Sequence, residues 1–120
     1  MIYNELISKL FIHFPMLKKQ YNDEGDYIEG LPHLCYEIVF VPFIRRSCLD
    51  NDQDKIHLIC DFLEIMANSK DELVSELLAV SVLESILSER EVIHLLKRYL
   101  GIHTKKLLTI LEKKYGWGSV

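Results

Sequence analysis

Apolar residues recur at spacings of three and four along most of the chain, and the densest such run lies between residues 73 and 87. Leu73, Val74, Leu77, Leu78, Val80, Val82, Leu83, Ile86 and Leu87 cover more than one face of a helix. A helix apolar around most of its girth must be surrounded by other helices. Glu76 and Glu84 interrupt the run, which excludes a membrane span, and both are predicted to face water.

The same spacing sets out the other elements. Leu6, Ile7, Leu10, Phe11 and Phe14 form one stripe of a first helix, which Pro15 cannot continue. Pro15 instead suits the first turn of a short second helix, with Met16, Leu17 and Tyr21 inward. Residues 22–30, NDEGDYIEG, hold two glycines, four acids and no base, and read as a loop. In residues 31–49, Pro32 suits a helix start, while the run Ile38 to Val41 suits either a buried strand or a helix. A helix bent near Pro42 is preferred, because no second convincing strand is present to pair with.

A polar connection at residues 50–54 offers Asn51 or Asp52 as a cap for the next helix. That helix carries Ile56, Ile59, Leu63 and Met66 on one stripe and Leu58, Phe62 and Ile65 on another. His57, Asp61, Glu64 and Asn68 are predicted to line its outside. Ser69 to Glu72 and Ser88 to Glu91 each fit a capping box, delimiting the central helix and starting the next. Gly101 is read as a left-handed stop and Gly116 as the end of a last helix that buries Leu107, Leu108 and Leu111. Trp117 is expected to fold back over that helix. The sum is one all-α domain over residues 1–120: a compact bundle or short stack of about seven antiparallel helices, in helical-hairpin, HEAT-like fashion. No repeat is visible at a fixed period.

The length fits one domain, and the mix of 49% hydrophobic and 27% charged residues is that of an ordinary globular protein. The N-terminus lacks a basic segment followed by an apolar run, so no signal peptide is predicted and the expected location is the cytoplasm. Cys35, Cys48 and Cys60 are odd in number and lack CxxC spacing, which predicts free thiols. The charges are unevenly placed. Residues 1–49 hold six acids and five bases, residues 50–91 eleven and three, and residues 92–120 one and six. Such an asymmetry can steer a charged partner to one part of the surface, although helical proteins also place charges on solvated faces without further purpose.

No catalytic motif stands out, and the domain is read as not an enzyme. His57, Cys60 and Asp61 fall within one helical turn, but zinc sites need four ligands in recognisable pairs, and an i,i+4 hydrogen bond explains His57 and Asp61 more simply. No glycine-rich elbow or phosphate-cradling loop is present. Neither a metal nor a cofactor is expected. The basic tail, with Lys97, Arg98, Lys105, Lys106, Lys113 and Lys114, lacks the interleaved aromatics of a nucleic-acid surface beyond Tyr99 and Tyr115. Direct binding of nucleic acid or membrane is not expected.

The acids divide in two. Asp71, Glu72, Glu89 and Glu91 sit in first helical turns, where capping and the helix dipole account for them. Asp23, Glu24, Asp26 and Glu29 have no such explanation, and they surround Tyr27. An aromatic among acids suits the anchoring of a basic protein; a solvated loop is the plainer alternative. If the helices from residue 32 onward alternate up and down, residues 22–30 and the turn at 68–71 share one end. That end gathers Asp23, Glu24, Asp26, Tyr27, Glu29, Asp71 and Glu72, the predicted partner-binding set. The other end gathers Asp50, Asp52, Asp54, Glu89 and Glu91 with no aromatic.

The order FPMLKKQY, LPHLCYEIV with FVPFI, ICDFLEIMANS and LLAVSVLESIL resembles a group of small bacterial all-helical domains. Members occur as immunity proteins, some paired with the toxic domains of contact-dependent growth-inhibition systems. The resemblance spans about residues 5 to 112 and rests on apolar spacing with the FP, LPH and SVLE signatures. It implies a cytosolic monomer that binds one cognate toxin domain in a 1:1 complex and blocks it. Many such toxins are nucleases with basic grooves, which an acidic surface can occupy in place of phosphates. The alternative is a helical adaptor or regulatory protein-binding domain not linked to a toxin.

Overall fold

Every long run of three-and-four spacing is a helix in the computed structural model, which describes residues 1–116. Seven helices follow one another, and no strand occurs among the described residues. A 3₁₀ turn, Tyr3–Glu5, leads into α1, Leu6–His13, and a second, Pro15–Leu17, leads into α2, Lys18–Glu24. A third 3₁₀ turn, Asp26–Ile28, separates α2 from α3, residues 32–49. Then come α4, Gln53–Ala67; α5, residues 72–86; α6, Arg90–Lys97; and α7, Ile102–Lys114. The molecule is 22 Å across its shortest axis, the depth of two helices. No described helix is long and apolar enough to cross a membrane.

Aromatic rings fill the centre. Phe14 lies 5.4 Å from Phe40 and 5.5 Å from both Phe43 and Phe62, and Tyr36 and Phe40 meet edge to face. The buried Tyr36 hydroxyl donates to the Leu6 carbonyl at 2.7 Å, tying α3 to α1. In α1, Leu6, Leu10 and Phe14 are buried as the stripe predicts. Met16 is exposed rather than inward, because the 3₁₀ turn entered at Pro15 rotates it away from Leu17.

The ambiguous stretch 36–44 is helical. A π segment, Tyr36–Phe40, precedes Pro42, and the Val41 N–H reaches back five residues to Tyr36. Pro42 has no N–H to give to Ile38, and the Gln20 side chain donates to that carbonyl instead, at 3.2 Å. A second π segment, Leu78–Leu83, lies within α5. Its wider turn re-phases the helix, so Ser81 points inward and Val80 outward, against the apolar pattern.

Helix starts are displaced from the predicted capping boxes. Asp71, not Ser69, caps α5, its Oδ1 accepting from the Leu73 N–H at 3.0 Å. Ser69 instead donates its hydroxyl to the Met1 carbonyl at 2.6 Å. Glu89, not Ser88, precedes α6, and its carboxylate turns away to accept a two-pronged pair from Arg45 at 2.6 and 2.8 Å. Asp52 caps α4, accepting from the Lys55 N–H at 3.2 Å.

Gly101 is not a left-handed stop: its φ is −74°, and it is the N-cap of α7. Glu64 belongs with it rather than on the outer face of α4. The Glu64 carboxylate accepts from the N–H groups of His103 and Thr104, the Thr104 hydroxyl and the His103 ring, all within 3.1 Å. Leu58 and Ile65 are exposed, leaving Phe62 as the buried member of its stripe. The His57 ring packs edge-on to Tyr99 rather than pairing with Asp61. Leu108 and Leu111 are buried as predicted, with Leu107 half-buried, and the reading of Trp117 lies outside the described residues.

Candidate functional site

Residues 22–30 are built in two parts rather than as a free loop. Asn22, Asp23 and Glu24 end α2, and Gly25, at φ +90°, reverses the chain into the 3₁₀ turn that carries Asp26 and Tyr27. That backbone conformation is open to glycine at no steric cost. Ile28, wholly buried, pins the turn to the core. The Gly30 N–H donates to the Tyr21 hydroxyl at 2.9 Å, fixing the exit.

Tyr27 is 57% exposed, and its hydroxyl donates to Glu24 at 2.8 Å. That bond, with lesser effects of desolvation and of the Glu24 charge, raises the phenol above its ordinary value. Beside it, Tyr21, Asn22, Gly25, Asp26 and Glu29 line a notch of about 210 Å³. Asp23 pairs with Lys19 at 3.0 Å, both side chains well exposed. Among the described residues, neither Asp26 nor Glu29 has an ion-pair partner. The notch is thus acidic with Tyr21 as its lining ring, and the exposed Tyr27 follows Asp26 on the same turn.

The first three residues join the start of α3 to the start of α5. The Tyr3 ring lies 6.4 Å from that of His33, near the start of α3, and the Tyr3 N–H donates to Asp71 at 2.8 Å. Both oxygens of Asp71 are therefore engaged inside the chain, one by Tyr3 and one by Leu73. Asp71 holds the end together and is not free to meet a partner, whereas Glu72 is exposed in the first turn of α5. The predicted set accordingly separates into Asp26 and Glu29 lining the notch, Tyr27 exposed on the same turn, Asp23 and Glu24 engaged by Lys19 and Tyr27, Glu72 exposed, and Asp71 structural. Nothing in the sequence marked Tyr3 as the link.

At the other acidic end, Glu89 is covered by Arg45 and Asp52 by its cap and by Lys55 at 3.6 Å. That leaves Asp50, Asp54 and Glu91 exposed there. A groove between α3 and α6, lined by Cys48, Leu49, Asn51, Glu91, Leu95 and Arg98, carries mixed charge.

One Ser–His pair has the spacing of nucleophile and base: His33 Nδ1 and Ser81 Oγ share a hydrogen bond of 2.7 Å. Ser81 is wholly buried in the π segment of α5, so a substrate carbonyl has no path to its hydroxyl. The three cysteines are free and buried, and burial pushes their thiols up to about 12 for Cys35, 11 for Cys48 and 12 for Cys60. No group of three or more His, Cys, Asp or Glu close enough to hold a metal ion occurs among the described residues. Glu112 is buried but paired, with Arg90 at 2.8 Å and Lys97 at 3.0 Å. Burial alone would push its carboxyl up; the bonds from Arg90 and Lys97 outweigh it and hold the group below the ordinary value.

Residues 7–116 match the model of a family described as a domain of unknown function, DUF7674, and the chain belongs to that family. No curated protein and no solved structure matches it.

Proposed function

We propose that this domain is an immunity-type inhibitor that binds a cognate toxin domain and covers its active site with the acidic end around Tyr27. The observation that carries the reading is the notch: two carboxylates without an ion-pair partner, Asp26 and Glu29, on the turn that also presents the exposed Tyr27, whose hydroxyl bonds Glu24. A lysine or arginine from a basic groove entering the notch exchanges water for two carboxylates, while its neighbours pack on the Tyr27 ring. The whole chain's charge of −4 favours the approach of a basic partner. A nuclease groove, built to hold phosphates, is the complementary surface, and the resemblance to immunity proteins supports that choice.

The test is to purify the protein from its native source and identify what accompanies it. The expected companion is a basic toxin domain encoded by an adjacent gene, lost from the complex when Asp26→Lys and Glu29→Lys are combined. A basic companion whose binding ignores those changes, or an acidic one that they release, contradicts the reading.

A further inference from the structure

The solvent face of α7 carries a second and opposite pattern. Ile102 and Ile110 are 63% and 62% exposed, and Lys105, Lys106 and Lys113 lie exposed between and beside them. Among the described residues, none of these three lysines has an acidic partner within ion-pair distance. The one acid of α7, Glu112, faces inward to Arg90 and Lys97. Lys97, basic in the sequence count, is thereby neutralised by the buried Glu112. The outward face carries lysines and isoleucines with Thr109 and His103 among them, and no acid.

Helix geometry sets the spacing. Ile102, Lys106 and Ile110 follow at four-residue steps, so they form one row with the isoleucines ~12 Å apart along the axis. Packing does not explain the two isoleucines, because α7 already buries Thr104, Leu108 and Leu111 against the rest of the chain.

We infer that this face of α7 docks an acidic amphipathic helix of a partner protein, separately from the notch at Tyr27. Two apolar anchors two turns apart, edged by lysines, complement a helix with an apolar stripe edged by glutamate or aspartate. Nucleic acid is the poorer match: its backbone offers nothing apolar to the isoleucines, and the row has neither arginine forks nor stacked rings. A membrane is poorer too, since the main apolar stripe of α7 is inside the fold and only two side chains remain to insert. The inference does not rest on the proposed inhibitor role.

The test is fluorescence anisotropy with the full chain and a labelled helical peptide carrying leucine on one face and glutamate elsewhere. Saturable binding is expected, weakened about tenfold or more by Ile110→Ser and by Lys106→Glu with Lys113→Glu. Leu58→Ser, exposed on α4, should leave it unchanged. Every altered side chain is exposed, so unchanged circular dichroism accompanies the expected result. Vesicles of phosphatidylserine and phosphatidylcholine and a single-stranded DNA serve as competing probes. No peptide binding, binding indifferent to the α7 changes, or tighter binding of vesicles or DNA through the same residues overturns the inference.

Discussion

The carboxyl group of Glu64 occupies the space that a side chain at Gly101 would need. A Cβ placed on Gly101 would lie 2.4 Å from Glu64 Cδ, far inside contact distance. Helix α7 has no cap of its own, because its N-cap residue is a glycine, and α4 supplies one from 37 positions earlier in the chain. The glycine is there for close approach rather than for a left-handed turn.

Either Glu64→Ala or Gly101→Ala should therefore cost about 2 kcal/mol, the first by leaving N–H groups of α7 uncapped, the second by pushing the cap aside. Both changes break one arrangement, so the double variant should lose clearly less than the two losses added together. Urea denaturation of the four proteins checks this, and full additivity would show that the two residues act independently.

The same carboxylate sets a pH dependence. Burial pushes Glu64 up, but hydrogen bonds from Thr104 and His103 prevail and bring it down to about 2. A group lowered on folding contributes stability that is complete above its unfolded value, near the ordinary 4.5, and is lost as pH falls through the folded one. The stability gap between wild type and Glu64→Gln should be roughly 1–2 kcal/mol at neutral pH and shrink between about pH 4.5 and 2. Glu112, also lowered, adds a loss of the same sign in both proteins. A gap that is constant over that range contradicts the assignment.

Gln20 stands in for the N–H that Pro42 lacks. Removing its side chain takes a donor from the Ile38 carbonyl, and Gln20→Ala should cost about 1 kcal/mol. In a Pro42→Ala background an N–H becomes available within α3, and the same change should cost markedly less. An equal cost in both backgrounds would remove the link between Gln20 and Pro42.

The thiols offer a check on burial. Cys35, Cys48 and Cys60 are at most 1% exposed with raised values, so a thiol reagent should modify the native protein slowly and all three residues promptly in denaturant. Fast modification of one thiol in native buffer would place that residue at the surface.

The helices and much of the core were legible because side chains such as Leu6, Leu10, Phe14, Val74 and Leu77 repeat at helical spacing and are indeed buried. What escaped was tertiary. A π segment leaves no mark in a pattern of three and four, so the inward Ser81 could not be foreseen. Glu64 looked like one more outer-face acid, since its partners lie about forty residues further on. A usable signal was present: Gly101 opens a helix with no Ser, Thr, Asp or Asn to cap it, which asks for a cap from elsewhere. At the candidate site, the acids around Tyr27 were visible as composition. The separation of Asp71 from them was not, because it depends on the Tyr3 N–H.

The most direct test of the acidic end is the kinetics of toxin binding, measured at two salt concentrations for wild type, Asp26→Lys with Glu29→Lys, and Tyr27→Ala. The charge reversals should slow association and flatten its salt dependence, because exposed charges act on encounter. Tyr27→Ala should leave association nearly unchanged and speed dissociation, because the ring acts only once docked. Rates that ignore all three changes but collapse on reversal of Asp50 and Asp54 would contradict the account and move the interface to the opposite end of the bundle.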